Sequence, residues 1–74
     1  MTRHTDEQCK EILSRNLRAL LKEKKTTSIQ VARAIGITPE ALSLYLRKKR
    51  LPRVDIALLI ADYFDVSIDY LVKE

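Results

Sequence analysis

The chain has 74 residues and a mass of 8.6 kDa, which is room for one small hydrophobic core and not for two. An apolar share of 46% fills such a core and argues against disorder, while one Gly and two Pro argue against a turn-rich all-β chain. The net charge of +4 is unevenly placed: residues 1–53 hold 13 basic and 5 acidic side chains, and residues 54–74 hold 1 and 5, so a basic body precedes an acidic end, as suits a chain that meets a polyanion with part of its surface.

Five helices are expected. The first runs over about 6–24, opened by a Thr-x-x-Gln capping box at Thr5 and Gln8. Cys9, Ile12, Leu13, Leu17, Leu20 and Leu21 recur at three- and four-residue steps as one apolar stripe, with Cys9 read as a small buried hydrophobe. Residues 1–5 are taken as a flexible N-terminal arm and 6–74 as a single domain. A second capping box, Thr27 with Gln30, starts the next helix, whose inward face is Val31, Ala32 and Ile35. Gly36 supplies the left-handed residue that ends it. Thr38 is a new N-cap, with Pro39 at the first helical position. Only Gly36, Ile37 and Thr38 separate the two short helices, which is the spacing of a helix-turn-helix.

The third helix is expected over 39–48, with Leu42, Tyr45 and Leu46 inward and Glu40, Ser43, Leu44 and Arg47 on the opposite face. Leu44 is an apolar misfit on a side that should be wet. Five basic residues in seven follow, from Arg47 to Arg53, broken by Pro52. Such a run elsewhere would be a solvated loop; behind a helix-turn-helix it reads as a contact surface for a polyanion. The fourth helix, about 54–64, is apolar on two sides: Val54, Ala57, Leu58, Ala61 and Phe64 on one, Ile56, Leu59, Ile60 and Tyr63 on the other. It is therefore buried all round or shares a side with a partner. Asp65 stops it, and Ser67 caps a last helix over about 68–72, with Val66 and Leu71 placed as a hydrophobic staple.

Catalysis has little to work with. His4 is the only histidine, Cys9 the only cysteine and Gly36 the only glycine, so catalytic Ser/His or Cys/His pairs, thiolate metal sites and glycine phosphate loops are hard to assemble. No enzyme, metal, cofactor or small-molecule substrate is expected. A single cysteine suits a reducing, cytoplasmic setting, and no run reaches the roughly 18 apolar residues of a membrane span.

In order along the chain stand Asn16-Leu17-Arg18 ahead of Leu21, Val31-Ala32 before Ile35-Gly36-Ile37, Leu42-Ser43 and Tyr45-Leu46, Lys49-Arg50-Leu51-Pro52, and Ile60-Ala61-Asp62-Tyr63-Phe64-Asp65-Val66-Ser67-Ile68-Asp69-Tyr70-Leu71. Over residues 11–72 this series resembles the lambda-repressor-like helix-turn-helix family, which includes phage repressors and the xenobiotic-response-element group of bacterial regulators. Four positions depart from the family pattern. Ser28 stands where Gln is frequent, Lys48 and Asp65 where Gly is usual, and Arg53 where Ser usually caps the fourth helix.

The resemblance implies an all-α bundle of five helices and a sequence-specific regulator of transcription, a repressor, that binds double-stranded DNA as a homodimer. It assigns base-facing roles in the major groove to Pro39, Glu40, Ser43, Leu44 and Arg47. Glu40 would accept from a cytosine amino group and Leu44 would pack on a thymine methyl. Phosphate contacts are expected from Arg18, Thr27, Ser28, Thr38, Lys48, Lys49, Arg50 and Arg53. The surplus apolar side chains Ile56, Tyr63, Ile68, Tyr70 and Val72 are candidates for the dimer interface, or else complete the monomer core. The competing expectation is a protein-interaction module of the same fold, such as an antitoxin, which need not carry the basic run.

Overall fold

Helix α1, Asp6–Glu23, opens on both halves of the expected capping box in the computed structural model, which describes residues 5–73: Thr5 Oγ1 accepts from the Gln8 backbone, and the Gln8 side chain accepts from the Thr5 N–H. Apart from Thr5, the expected N-terminal arm lies outside the described residues. Helix α2, Ser28–Ile35, has the same box at Thr27 and Gln30. In α3, Pro39–Leu46, the Thr38 hydroxyl accepts from the Ala41 N–H. Helices α4, Val54–Phe64, and α5, Ile68–Leu71, complete the fold, and no strand occurs among the described residues. Ser67 caps α5 through the Tyr70 N–H, whereas Arg53 at the start of α4 makes no side-chain cap bond.

The apolar stripes meet in one core. Leu13, Leu17 and Leu20 of α1 join Val31 and Ala32 of α2, Leu42 and Tyr45 of α3, Ile60, Ala61 and Phe64 of α4, and Leu71 of α5. Helix α2 packs on α3 and α4, α1 packs on α3 and α5, and α4 packs on α5. The two expected apolar sides of α4 do not separate as buried and exposed, because the buried face takes residues from both. Ile60, Ala61 and Phe64 face inward with Ile56 and Ala57 half-buried, while Val54, Leu58, Leu59 and Tyr63 stay exposed, Val54 at 79%. Helix α4 is therefore buried on one side and unpartnered on the other. Cys9, expected to be buried, is half-buried at the edge of the core.

Four helices end in one way. Lys25, Gly36, Lys48 and Asp65 have φ of 53°, 82°, 64° and 56°, the left-handed region. The next residue's N–H then reaches back five residues: Thr26 to Leu21, Ile37 to Ala32, Lys49 to Leu44 and Val66 to Ala61, at 2.9–3.0 Å. These closures satisfy carbonyls that a helix terminus leaves without partners. At Lys48 the closure ends α3 at Leu46, two residues short of the expected 48. Lys48 and Asp65 are two of the positions that depart from the family pattern, and both hold the backbone that a glycine adopts without strain.

Left-handed backbone costs an L-residue roughly 1–2 kcal/mol, partly offset by the greater entropy that glycine loses on folding. Asp65 also sets a negative charge at a helix C-terminus, against the dipole. Asp65→Gly is therefore expected to stabilise the domain by about 1 kcal/mol. In a domain of this size that is a rise of roughly 4–8 °C in Tm, read by thermal melting followed by circular dichroism.

Candidate nucleic-acid interface

The turn between α2 and α3 works because each short helix carries its own cap. With Leu42 and Tyr45 buried beneath it, α3 turns its other side out. Pro39, Glu40, Ser43, Leu44 and Arg47 line one open groove of about 380 Å³, together with Ser28 and Ile29 from the start of α2. All five residues expected to face bases thus share a single surface. Its floor is apolar at Ile29, Pro39 and Leu44, and polar at Ser28, Glu40, Ser43 and Arg47.

Ile29 was not among the expected site residues, yet it is 49% exposed in that groove. The signal lay in the helical period: Ile29 falls outside the inward face of Val31, Ala32 and Ile35, so an apolar side chain there must stand in water.

Of the expected phosphate contacts, Ser28 lies in the α3 groove, and six others are placed in three ways. Lys49 and Arg50 are exposed just beyond α3, and Lys48 lines a second concavity with Glu11, Ser14, Arg15 and Arg18 of α1. Arg15 is a further cation in that concavity, one turn before Arg18, that was not singled out in the sequence. Arg53 is exposed with its Nε 3.6 Å from Asp55 Oδ1, so part of its charge is answered locally. The hydroxyls of Thr27 and Thr38 accept from their own helices at 3.2 and 3.1 Å. What they offer an anion is the N–H groups of the first helical turn.

Arg18 is placed differently. Its Nη2 donates to the Leu46 carbonyl at 3.0 Å and its Nε lies 3.4 Å from Ser14 Oγ, so two of its donors point at protein.

The dimer candidates divide. Ile56 and Ile68 pack against the core, whereas Tyr63, Tyr70 and Val72 are exposed. Val72 and Ile68 also line an apolar groove of about 230 Å³ with Cys9, Leu51, Pro52 and Val54. Among the described residues no group of three His, Cys, Asp or Glu gathers as a metal site, and no helix is long and apolar enough to cross a membrane.

A short helix held out by a capped partner, with cations beside its outer face, defines a helix-turn-helix domain. A family model described as helix-turn-helix matches residues 17–71, and the chain belongs to that family, of the lambda-repressor-like type. Two Bacillus subtilis (strain 168) relatives are similar in sequence. The uncharacterized HTH-type transcriptional regulator YqaE is 37% identical over 62 residues, 84% of this chain and 53% of that protein. The uncharacterized HTH-type transcriptional regulator YobD is 36% identical over 56 residues, 76% of this chain and 50% of that protein. The chain therefore spans about half the length of the curated relatives it matches. The solution structure of the SOS-response transcriptional repressor LexA from Eubacterium rectale superposes with a TM-score of 0.86 at 24% identity, covering 100% of this chain and 76% of that one; the likeness is one of fold.

Proposed function

We propose that this chain binds double-stranded DNA in a sequence-specific manner and regulates transcription as a repressor in the cytoplasm. It would lay α3 in the major groove and hold the flanking phosphates with the basic run 47–53. The observation that carries this is the shared outward surface of Pro39, Glu40, Ser43, Leu44 and Arg47, with Lys48, Lys49 and Arg50 directly behind it. A helix of this diameter fits the major groove, where each base pair presents its own pattern of donors, acceptors and methyl groups. Glu40 accepts from a cytosine amino group, and Leu44 with Ile29 offers apolar surface to a thymine methyl. Repression needs no surface beyond this one, because a domain seated on a promoter excludes other proteins from it.

One eight-residue reading helix spans only part of a helical turn of DNA. A pair of chains on an inverted repeat doubles the contacts without a new fold. The exposed side of α4 with Tyr63, Tyr70 and Val72 is the surface proposed for pairing.

Selection of bound duplexes from a random pool tests the reading. The expected return is one preferred motif arranged as an inverted repeat. Absence of binding at both low and moderate salt would instead support a protein-interaction module. Glu40→Ala is expected to change the preferred base pair at one position, a discrimination of roughly 1–3 kcal/mol. Affinity for unrelated duplexes should stay equal or rise, since a carboxylate leaves the face that meets phosphates. Competition binding with single-base operator variants measures both quantities.

A further inference from the structure

An α-helix leaves its last four carbonyls without partners inside the helix. In α3 these belong to Ser43, Leu44, Tyr45 and Leu46. The first three are answered by the chain that follows, through the N–H groups of Arg47, Lys49 and Lys48 at 2.9, 2.9 and 3.3 Å. The fourth is answered from another helix. The Leu46 carbonyl accepts from Ser14 Oγ at 2.5 Å and from Arg18 Nη2 at 3.0 Å, and Arg18 Nε lies 3.4 Å from the same Ser14 hydroxyl. Ser14 is 1% exposed, a buried polar side chain in an otherwise apolar core.

We infer that Ser14 and Arg18 are positioning residues that set the orientation of the reading helix, and that Arg18 does not serve as a phosphate contact. This rests on the DNA-reading role proposed above. Packing by Leu42 and Tyr45 is non-directional and tolerates small rotations of α3 about its own axis. A hydroxyl and a planar guanidinium converging on one carbonyl are directional and do not. The clamped carbonyl belongs to the residue beside Arg47 and lies within one turn of Leu44. A rotation there would carry both away from the base edges, while Lys49 and Arg50, exposed on the chain beyond the left-handed Lys48, keep their reach to phosphates. With Nε and Nη2 turned onto protein, Arg18 has fewer of its five donors left to offer a phosphate.

The two roles give opposite signatures in a salt series. Fluorescence anisotropy would follow the intact chain, Ser14→Ala and Arg18→Ala on the duplex returned by selection and on a scrambled duplex of equal length. If the residues position α3, each variant binds the selected duplex about tenfold more weakly, as when one base contact is misplaced. Binding to the scrambled duplex stays as in the parent, and so does the slope of log K against log salt. Ser14 is too deeply buried to touch DNA, so an effect of Ser14→Ala on the selected duplex alone can pass only through the helix. The inference is overturned if Arg18→Ala lowers the slope by about 0.9, the value for one lost phosphate, or if both variants keep the parent's ratio of selected to scrambled affinity. Should Ser14→Ala melt below the assay temperature, Arg18→Ala, at an exposed position, decides alone. A parent chain for which selection returns no motif removes the proposed function itself, a result visible before any variant is compared.

Discussion

Replacing Lys49 and Arg50 together with alanine is expected to weaken binding to every duplex alike and to flatten its salt dependence. Both side chains are exposed, both follow the left-handed Lys48 that turns the chain off the end of α3, and neither forms an ion pair among the described residues. Each phosphate neutralised contributes about 0.9 to the slope of log K against log salt. Loss of two such contacts lowers the slope by about 1.8, and affinity at low salt falls roughly 10- to 100-fold. The preferred motif should not change, because phosphate contacts position the protein and carry no base information. A salt series on selected and scrambled duplexes checks this. A change of motif with an unaltered slope would place these two residues on base edges instead.

Phe64→Ala is the second large effect, and it acts on the fold. Phe64 is 2% exposed where α4 meets the core, and its ring sits edge-to-face against Tyr63 with centroids 5.0 Å apart. Removing a buried phenyl ring costs about 3–5 kcal/mol, the lost transfer free energy plus the cavity left behind. A domain of this length is stable by only roughly 4–11 kcal/mol, so the variant loses a large part of its stability. Chemical denaturation should show the loss directly. DNA binding should fall equally for selected and scrambled duplexes as the folded fraction shrinks, unlike the selective losses expected at Glu40 or Ser14. Tyr63→Ala, at an exposed position beside it, should cost about 1 kcal/mol, mainly the ring pair.

How far the fold was legible depends on how local each signal is. The capping boxes at Thr5 and Thr27, the cap at Thr38 and the left-handed Gly36 are decided within four residues, and each stands where the sequence places it. The end of α3 is less local. Lysine rarely adopts positive φ, so nothing in Lys48 taken alone announces the stop. Only the resemblance, which has glycine at that position, pointed there. At Asp65 the stop was expected from the end of the α4 pattern as well as from the resemblance, while Lys25 carried no signal. On α4, periodicity found two apolar sides, but the buried face takes Ala61 and Phe64 from one and Ile60 from the other, because it is set by where α2 and α5 lie.

The site divides along the same line. Which residues of α3 face outward follows from the helical period once Leu42 and Tyr45 are assigned to the core, and all five share the groove. Ile29 was within reach of that reasoning. The partners of Arg18 were not: the resemblance implied a phosphate contact, while two of its donors meet a hydroxyl on its own helix and a carbonyl 28 residues away.

From its residues alone this protein had its helices, their caps and the outward side of α3 determined, because backbone hydrogen bonds and side-chain period act over three or four positions. Only the tertiary structure decided which residues of α4 are buried, which cations are exposed and what answers the last carbonyl of α3. Those are contacts between segments tens of residues apart, and their directions exist only once the core has closed.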